Sequence, residues 1–238
     1  MRFSISILES FGIATKVNLP GVGESLQEQA SHLLAFNSTL EAVPSTYQAF
    51  ISASRLLGDK FSDVEAATRK SIPSWAQRLA DAPGDCHLPA SAISAQLRVQ
   101  HDLVFKHDVS VAEILDVAAP GGVGATNYWL LFPFSRGCVH ISDNPRKPRI
   151  DPKFYTVDFD MEMATLTGRL SQEYWNSSPL GEFIVGQVLP AEDALPRNAT
   201  DEQWEAYFRS TGKSTLSNAH SFVIHIVWQQ LISLTSVA

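Results

Sequence analysis

Two stretches rich in β-branched and aromatic residues, 109–117 and 128–141, flank a glycine-rich segment at 120–124. Their pattern breaks with the sequence around them. Over 89–107 the apolar residues Ile93, Leu97, Leu103 and Val104 recur at spacings near three, four and seven, which predicts an amphipathic helix. Helical pattern is also expected over most of 45–82, with Ile72-Pro73 breaking it into two helices. It returns over 158–176 and over 201–210, where Thr200-Asp201 caps the start. The strand-like stretches do not alternate with helices as βαβ units do. The expected class is therefore α+β, a large, mostly antiparallel sheet backed by helices, and not a doubly wound parallel fold.

Composition narrows the function. The 238 residues are 45% hydrophobic and 18% charged, which excludes a disordered acidic tail, a collagen-like repeat and a coiled coil. Lys and Arg number 18 against 25 Asp and Glu, giving −7. Unclustered acidic charge argues against nucleic acid or an anionic membrane as partner. No run reaches the roughly 18–20 apolar residues of a membrane span; the nearest, 221–238, carries His225, Gln229 and Gln230. The N-terminus opens like a signal peptide, but Glu9 and Gly12 interrupt its apolar stretch and no cleavage site follows, so no targeting signal is read. Sequons at Asn37, Asn176 and Asn198 permit a secreted lineage. Cys86 and Cys138 are too few for a disulfide scaffold and form no Cys-x-x-Cys pair.

No motif carries chemistry on its own. Gly21-Val22-Gly23-Glu24 begins like a dinucleotide fingerprint but lacks the third glycine, and Glu24 would repel a phosphate. Gly121-Gly122-Val123-Gly124 reads as a flexible connection, so the chain has no Rossmann loop of its own. His101 and His107 are six apart, and His220 and His225 five apart. Neither is a metal-ligand spacing, and no metal site is expected.

In combination, several segments resemble one family. Leu19-Pro20-Gly21-Val22-Gly23-Glu24-Ser25-Leu26-Gln27-Glu28-Gln29 is similar to the LPGVGxNLQDH element of the glucose–methanol–choline (GMC) oxidoreductases, with Ser25, Glu28 and Gln29 as departures. Val111–Asp116, then Tyr128-Trp129-Leu130-Leu131-Phe132-Pro133-Phe134-Ser135-Arg136-Gly137-Cys138-Val139-His140-Ile141, resembles the sugar-oxidising fungal branch, glucose oxidase- or glucose dehydrogenase-like. Arg149-Ile150-Asp151-Pro152 fits the family's RIDP element. The resemblance implies FAD-dependent oxidation of a sugar or alcohol CH–OH group, with proton abstraction by a histidine and hydride transfer to flavin. A histidine suits that task because its ordinary pKa lies near neutrality. It makes His220 the base, within Asn218-Ala219-His220, and Glu113 a carboxylate that orients a histidine. Trp129 and Leu115 become substrate-pocket residues, and Gly21, Gly23 and Leu26 lie toward the cofactor. Arg136-Gly137 reads as a structural turn with a paired arginine. A homodimer and a secreted lineage are features of full-length relatives.

The resemblance ends at His220. Residues 1–30 are expected to be a remnant leading out of the flavin-domain region, 31–220 the substrate-binding domain, and 221–238 a tail foreign to the family, as from a frame change or retained intron. Neither the Rossmann loop nor the C-terminal flavin segment is present, so the chain alone is expected to hold FAD weakly and to be inactive. Two alternatives stay open: a non-catalytic carbohydrate-binding or interaction protein derived from the substrate domain, and a split enzyme whose flavin half is a separate chain. Oxidase and dehydrogenase also both stay open, because that choice rests on oxygen access to the flavin.

Overall fold

The computed structural model describes residues 4–19, 21–41, 45–82, 86, 88–119, 121–144 and 147–211. His220 and the tail at 221–238 lie outside the described residues. After helix α1 (Ser4–Ser10), two antiparallel sheets form. The smaller has the order β1 (Glu24–Leu26), β6 (Gly137–His140), β7 (Arg149–Asp151). The larger has five strands in the order β3 (Ser45–Ser52), β4 (Ser110–Ala119), β5 (Val123–Leu130), β2 (Ser31–Ser38), β8 (Ile184–Leu189). Every pairing among the described residues is antiparallel, so the α+β expectation holds.

Alternation along the strands splits the large sheet into two faces. On β5, Gly124, Thr126, Tyr128 and Leu130 are buried while Val123, Ala125, Asn127 and Trp129 face the other way. On β2, His32, Leu34 and Phe36 are buried. The buried face receives helix α5 (Asp158–Asn176). Trp175 lies so close over β5 that a Cβ at Gly124 would meet its ring at 2.4 Å, which requires glycine there. The Trp175 indole N–H donates to Thr126 Oγ1 at 2.6 Å, and that hydroxyl donates to Asp116.

The remaining helices close the core from one end. Helices α2 (Ala53–Leu57), α3 (Phe61–Asp81) and α4 (Ala90–Lys106) pack on one another, and α6 (Asp201–Thr211) packs on α5. Trp75, Phe105, Phe134 and Phe159 meet with ring centroids 5.1–5.9 Å apart. Helix α6 starts with the expected cap: Gln203 N–H donates to Thr200 Oγ1 at 3.4 Å, and Thr200 N–H donates to Gln203 Oε1 at 2.9 Å. No helix among the described residues is long and apolar enough to cross a membrane.

Three expectations are corrected. Residues 45–52 are a strand, because Thr46, Tyr47, Phe50 and Ile51 suit a pleated surface and the whole segment pairs with β4. Pro73 does not break α3: its side is exposed, while Thr68, Ile72, Trp75, Ala76 and Leu79 bury one continuous stripe across it. That burial outweighs one lost backbone hydrogen bond. Cys86 and Cys138, too few for a disulfide scaffold, form a single bridge joining residues 52 positions apart. Closing a loop of that length restricts the unfolded chain by about 4 kcal/mol. Leu103, read as part of the apolar helix face, is partly exposed.

A buried polar network fixes residues 132–136 between α4 and α5. Asp160, 1% exposed in the first turn of α5, accepts from the Phe134 and Ser135 amides at 2.6 and 2.7 Å. Ser135 Oγ accepts from Val157 N–H at 3.1 Å. Arg136 is buried; it donates to the carbonyls of Pro133 and Ser135 and to Gln100 Oε1, and Gln100 donates to the Phe132 carbonyl. This is the paired arginine the sequence suggested. Burial lowers its pKa to about 10, opposed by the Asp160 charge. Replacing Asp160→Asn removes the charge facing a buried guanidinium. It should cost about 3–5 kcal/mol in denaturant unfolding, whereas the exposed Asp158→Asn should cost little. Equal midpoints for both variants would refute this role.

Candidate functional site

The second face of the large sheet, opposite α5, displays three of the candidates together. Glu113 and Trp129 are register partners across β4 and β5, and Leu115 follows two residues on from Glu113, opposite Asn127. All three are half-buried. Glu113 Oε1 accepts from Gln48 Nε2 at 3.1 Å, across from β3. Burial raises the Glu113 carboxyl above its ordinary range, and a hydrogen bond with the Trp129 side chain pulls the other way. Asn127 accepts from Ser31 Oγ on β2. The face thus presents a carboxylate, two amides and a hydroxyl around a flat indole.

At Ser31, Leu33 and Asn127 this face runs into a cleft of about 690 Å³, walled by Pro190 and by Tyr207 of α6. His32 lines it from the buried side. Its Nε2 is hydrogen-bonded to the Tyr155 hydroxyl, and its ring lies 4.4 Å from that of Phe208, centroid to centroid. Burial lowers the His32 pKa to about 3, so it stays neutral in the folded protein and is no proton acceptor at neutral pH.

The cofactor-side candidates lie elsewhere, in the small sheet. Gly23 has φ +82°, and a Cβ there would meet the Val139 carbonyl at 2.3 Å. Gly23 O accepts from Val139 N–H at 2.7 Å, so this glycine serves the contact between the turn and β6. Gly21 O accepts from Glu24 N–H, and Leu26 pairs with Gly137. Around Gly21 there is open space. The described residues form no strand–glycine loop–helix unit with parallel strands, so they do not fit a dinucleotide by themselves.

Sequence reasoning overlooked Gln48, Asn127 and Ser31. Period-two alternation on β5 puts Asn127 on the face of Trp129, a signal available in the sequence. Gln48 was hidden once 45–52 was read as helix. It also overlooked a buried pair: His140 Nε2 lies 3.2 Å from Glu24 Oε1, with both side chains buried.

This architecture, an antiparallel sheet backed by helices, is consistent with a GMC substrate-domain-like fold. Two solved structures share it: an FAD-dependent oxidoreductase from Chaetomium thermophilum (TM-score 0.72, 22% identity, 90% of this chain and 40% of that one) and a fungal aryl-alcohol oxidase (TM-score 0.67, 20% identity, 86% and 39%). No protein-family model matches the chain. It is 44% identical over 204 residues to the glucose oxidase-like protein fsoC of Humicola fuscoatra, covering 84% of this chain and 34% of that protein. Glucose oxidase of Aspergillus carbonarius is 29% identical (86% and 33%), and the GMC oxidoreductase family protein Mala s 12 of Malassezia sympodialis 27% identical (86% and 34%). The chain's relatives are thus glucose oxidase-like and GMC oxidoreductase family proteins, matched over about 85% of its length. The chain spans about a third of the length of the curated relatives it matches.

His32 gives the site a pH signature. Its pKa is depressed on folding, so its contribution is fully present above the unfolded value near 6.5 and is lost as pH falls toward about 3. The loss is on the order of 4 kcal/mol over that window. His32→Gln, which keeps an acceptor for Tyr155, should flatten the fall in unfolding free energy between neutral and acid pH. An unchanged pH slope would show that His32 does not set it.

Proposed function

We propose that this chain supplies the substrate-facing wall of an FAD-dependent oxidoreductase that oxidises a CH–OH group of a sugar or small alcohol. The observation that carries the reading is the sheet face opposite α5, where Glu113, Gln48 and Asn127 surround Trp129. A polyhydroxylated ring needs donors and acceptors at its edge and an apolar plane against its C–H face, and this face offers both. A flavin held elsewhere in such an enzyme would supply the hydride acceptor. The chain's own residues bind and orient: Trp129 and Leu115 contact the ring, Glu113 accepts a hydroxyl or imidazole N–H, and His220 takes the hydroxyl proton. Gly21, Gly23 and Leu26 face toward the cofactor, with Gly23 also holding its turn against β6. On this reading residues 31–220 are the substrate domain, 1–30 lead into it from the flavin side, and 221–238 lie outside it.

Exposed apolar residues on the same face support a covering unit: Phe50 is 58% and Leu33 40% exposed. On this reading the chain alone holds FAD weakly and is inactive on sugar. The lineage is a secreted one; the Cys86–Cys138 disulfide favours this, since such bonds persist in oxidising compartments, and Asn37 and Asn198 are exposed for glycosylation.

Two measurements check these statements. Purified without added cofactor, the chain should lack a visible flavin band and gain none with FAD; a stoichiometric band would overturn its predicted inactivity. Titrated with D-glucose, it should bind weakly, roughly in the millimolar range, with the Trp129 indole N–H shifting in the NMR spectrum. Trp129→Ala should abolish the response. Sugar binding without flavin in a chain that stays inactive alongside a flavin-bearing partner would favour the carbohydrate-binding alternative. No shift at Trp129 would remove the face as a sugar site.

A further inference from the structure

Away from the sheet face, one cluster of metal-ligating side chains is built into the small sheet. Glu24 and Cys138 are register partners across β1 and β6, and His140 lies two residues beyond Cys138 on the same strand. Cross-strand partners and i, i+2 neighbours share a face, so a carboxylate, a sulfur and an imidazole are directed to one spot. Their ligating atoms all lie within 4.8 Å of one another, and all three residues are buried. The ring is held from behind: a Cβ at Gly23 would approach His140 Nδ1 to 3.0 Å, so the turn leaves it no room to retreat. His140, 8% exposed, has no hydrogen-bond partner at Nε2; Glu24 Oε1 is 3.2 Å away without the alignment of a hydrogen bond. An imidazole nitrogen and a carboxylate oxygen facing each other in this manner are placed as two ligands of one cation are placed.

The disulfide is what closes this spot. Cys138 Sγ is bonded to Cys86 Sγ, and a disulfide sulfur is a poor ligand where a thiolate is a strong one. We propose that Glu24, Cys138 and His140, with Cys86 as fourth ligand, form a zinc site that the Cys86–Cys138 disulfide keeps closed and that reduction opens. A dithiol reductant breaks the S–S bond, delivering two electrons and two protons; it leaves as its own disulfide, and the chain gains two thiols. Zinc then binds both sulfurs as thiolates and releases those two protons to solvent. A Cys₂HisGlu set suits tetrahedral zinc, whose ligand atoms sit roughly 3.3–3.8 Å apart: the Glu24, Cys138 and His140 donors contract to that spacing, while Cys86 Sγ, freed from its bond to Cys138, moves away from that sulfur to take the fourth position. The histidine spacings weighed from sequence missed this set, because its members come from two strands and are joined by pairing.

Co²⁺ serves as the spectroscopic stand-in for zinc. The full chain, reduced with a phosphine and checked by circular dichroism, should take up one Co²⁺ per chain with thiolate-to-cobalt charge-transfer absorption, and Zn²⁺ should displace it. The oxidised chain should show no such band. His140→Ala and Glu24→Gln should each weaken binding at least about tenfold. Cys86→Ser frees Cys138 without any reductant and guards against a reduced chain that does not fold: it should bind Co²⁺ with a thiolate band, and Cys86→Ser/Cys138→Ser should not. Cobalt binding to Cys86→Ser no tighter than to the double variant would overturn the site, as would full affinity in His140→Ala.

Discussion

A single buried carboxylate organises the centre of this molecule. Asp160 sits in the first turn of α5, where the helix dipole favours negative charge, and accepts two amide protons from the turn at Phe134 and Ser135. Burial raises its pKa above the ordinary carboxylate range, and the two amides, Ser135 and the Arg136 charge offset only part of that. The consequence is geometric. Residues 132–136 connect β5 of the large sheet, which ends at Leu130, to β6 of the small sheet, which begins at Gly137. With that connection fixed to α5 by Asp160 and to α4 by Gln100, both sheets take their positions from one polar network.

The half-exposed sheet face follows from this arrangement. α5 covers one side of β2, β4 and β5, with Trp175 against Gly124 and its N–H satisfied by Thr126. The opposite side keeps Glu113, Leu115, Asn127 and Trp129 half-exposed on paired strands whose register is uninterrupted from Ala112 to Ala119. Rigid strands hold those side chains, so the distance between the carboxylate and the indole is set by backbone hydrogen bonds and not by loop conformation. That is the setting in which a polar ligand finds its partners already placed. The small sheet is organised differently: its face is closed, with Glu24 and His140 buried beside a disulfide.

Much of the fold was legible locally. α4, α5 and α6 announced themselves by period and by the cap at Thr200, and the two β-rich stretches gave β4, β6 and the last residues of β5; Val123 and Gly124, read as loop, are strand because they pair with β4 and β2. Glu113, Leu115 and Trp129 were reached by resemblance, and alternation alone would have added Asn127. Segment 45–52 misled because its pairing partner, β4, lies some sixty residues away, and local pattern does not register a partner at that distance. Pro73 misled for a similar reason: the stripe from Thr68 to Leu79 is rewarded only once α3 meets its neighbours.

The sequence by itself determined the classes of α4, α5, α6 and most of β4, and that the fold is α+β, because periods of 2 and 3.6 are local properties of the chain. Only the tertiary structure decided which cysteines meet, that Glu24 faces His140, and that His32 is neutral and enclosed by Tyr155 and Phe208. Those outcomes depend on residues brought together across 52, 116 and more than 100 positions. Long-range pairing and desolvation are properties of the packed molecule, and no short window of sequence contains them.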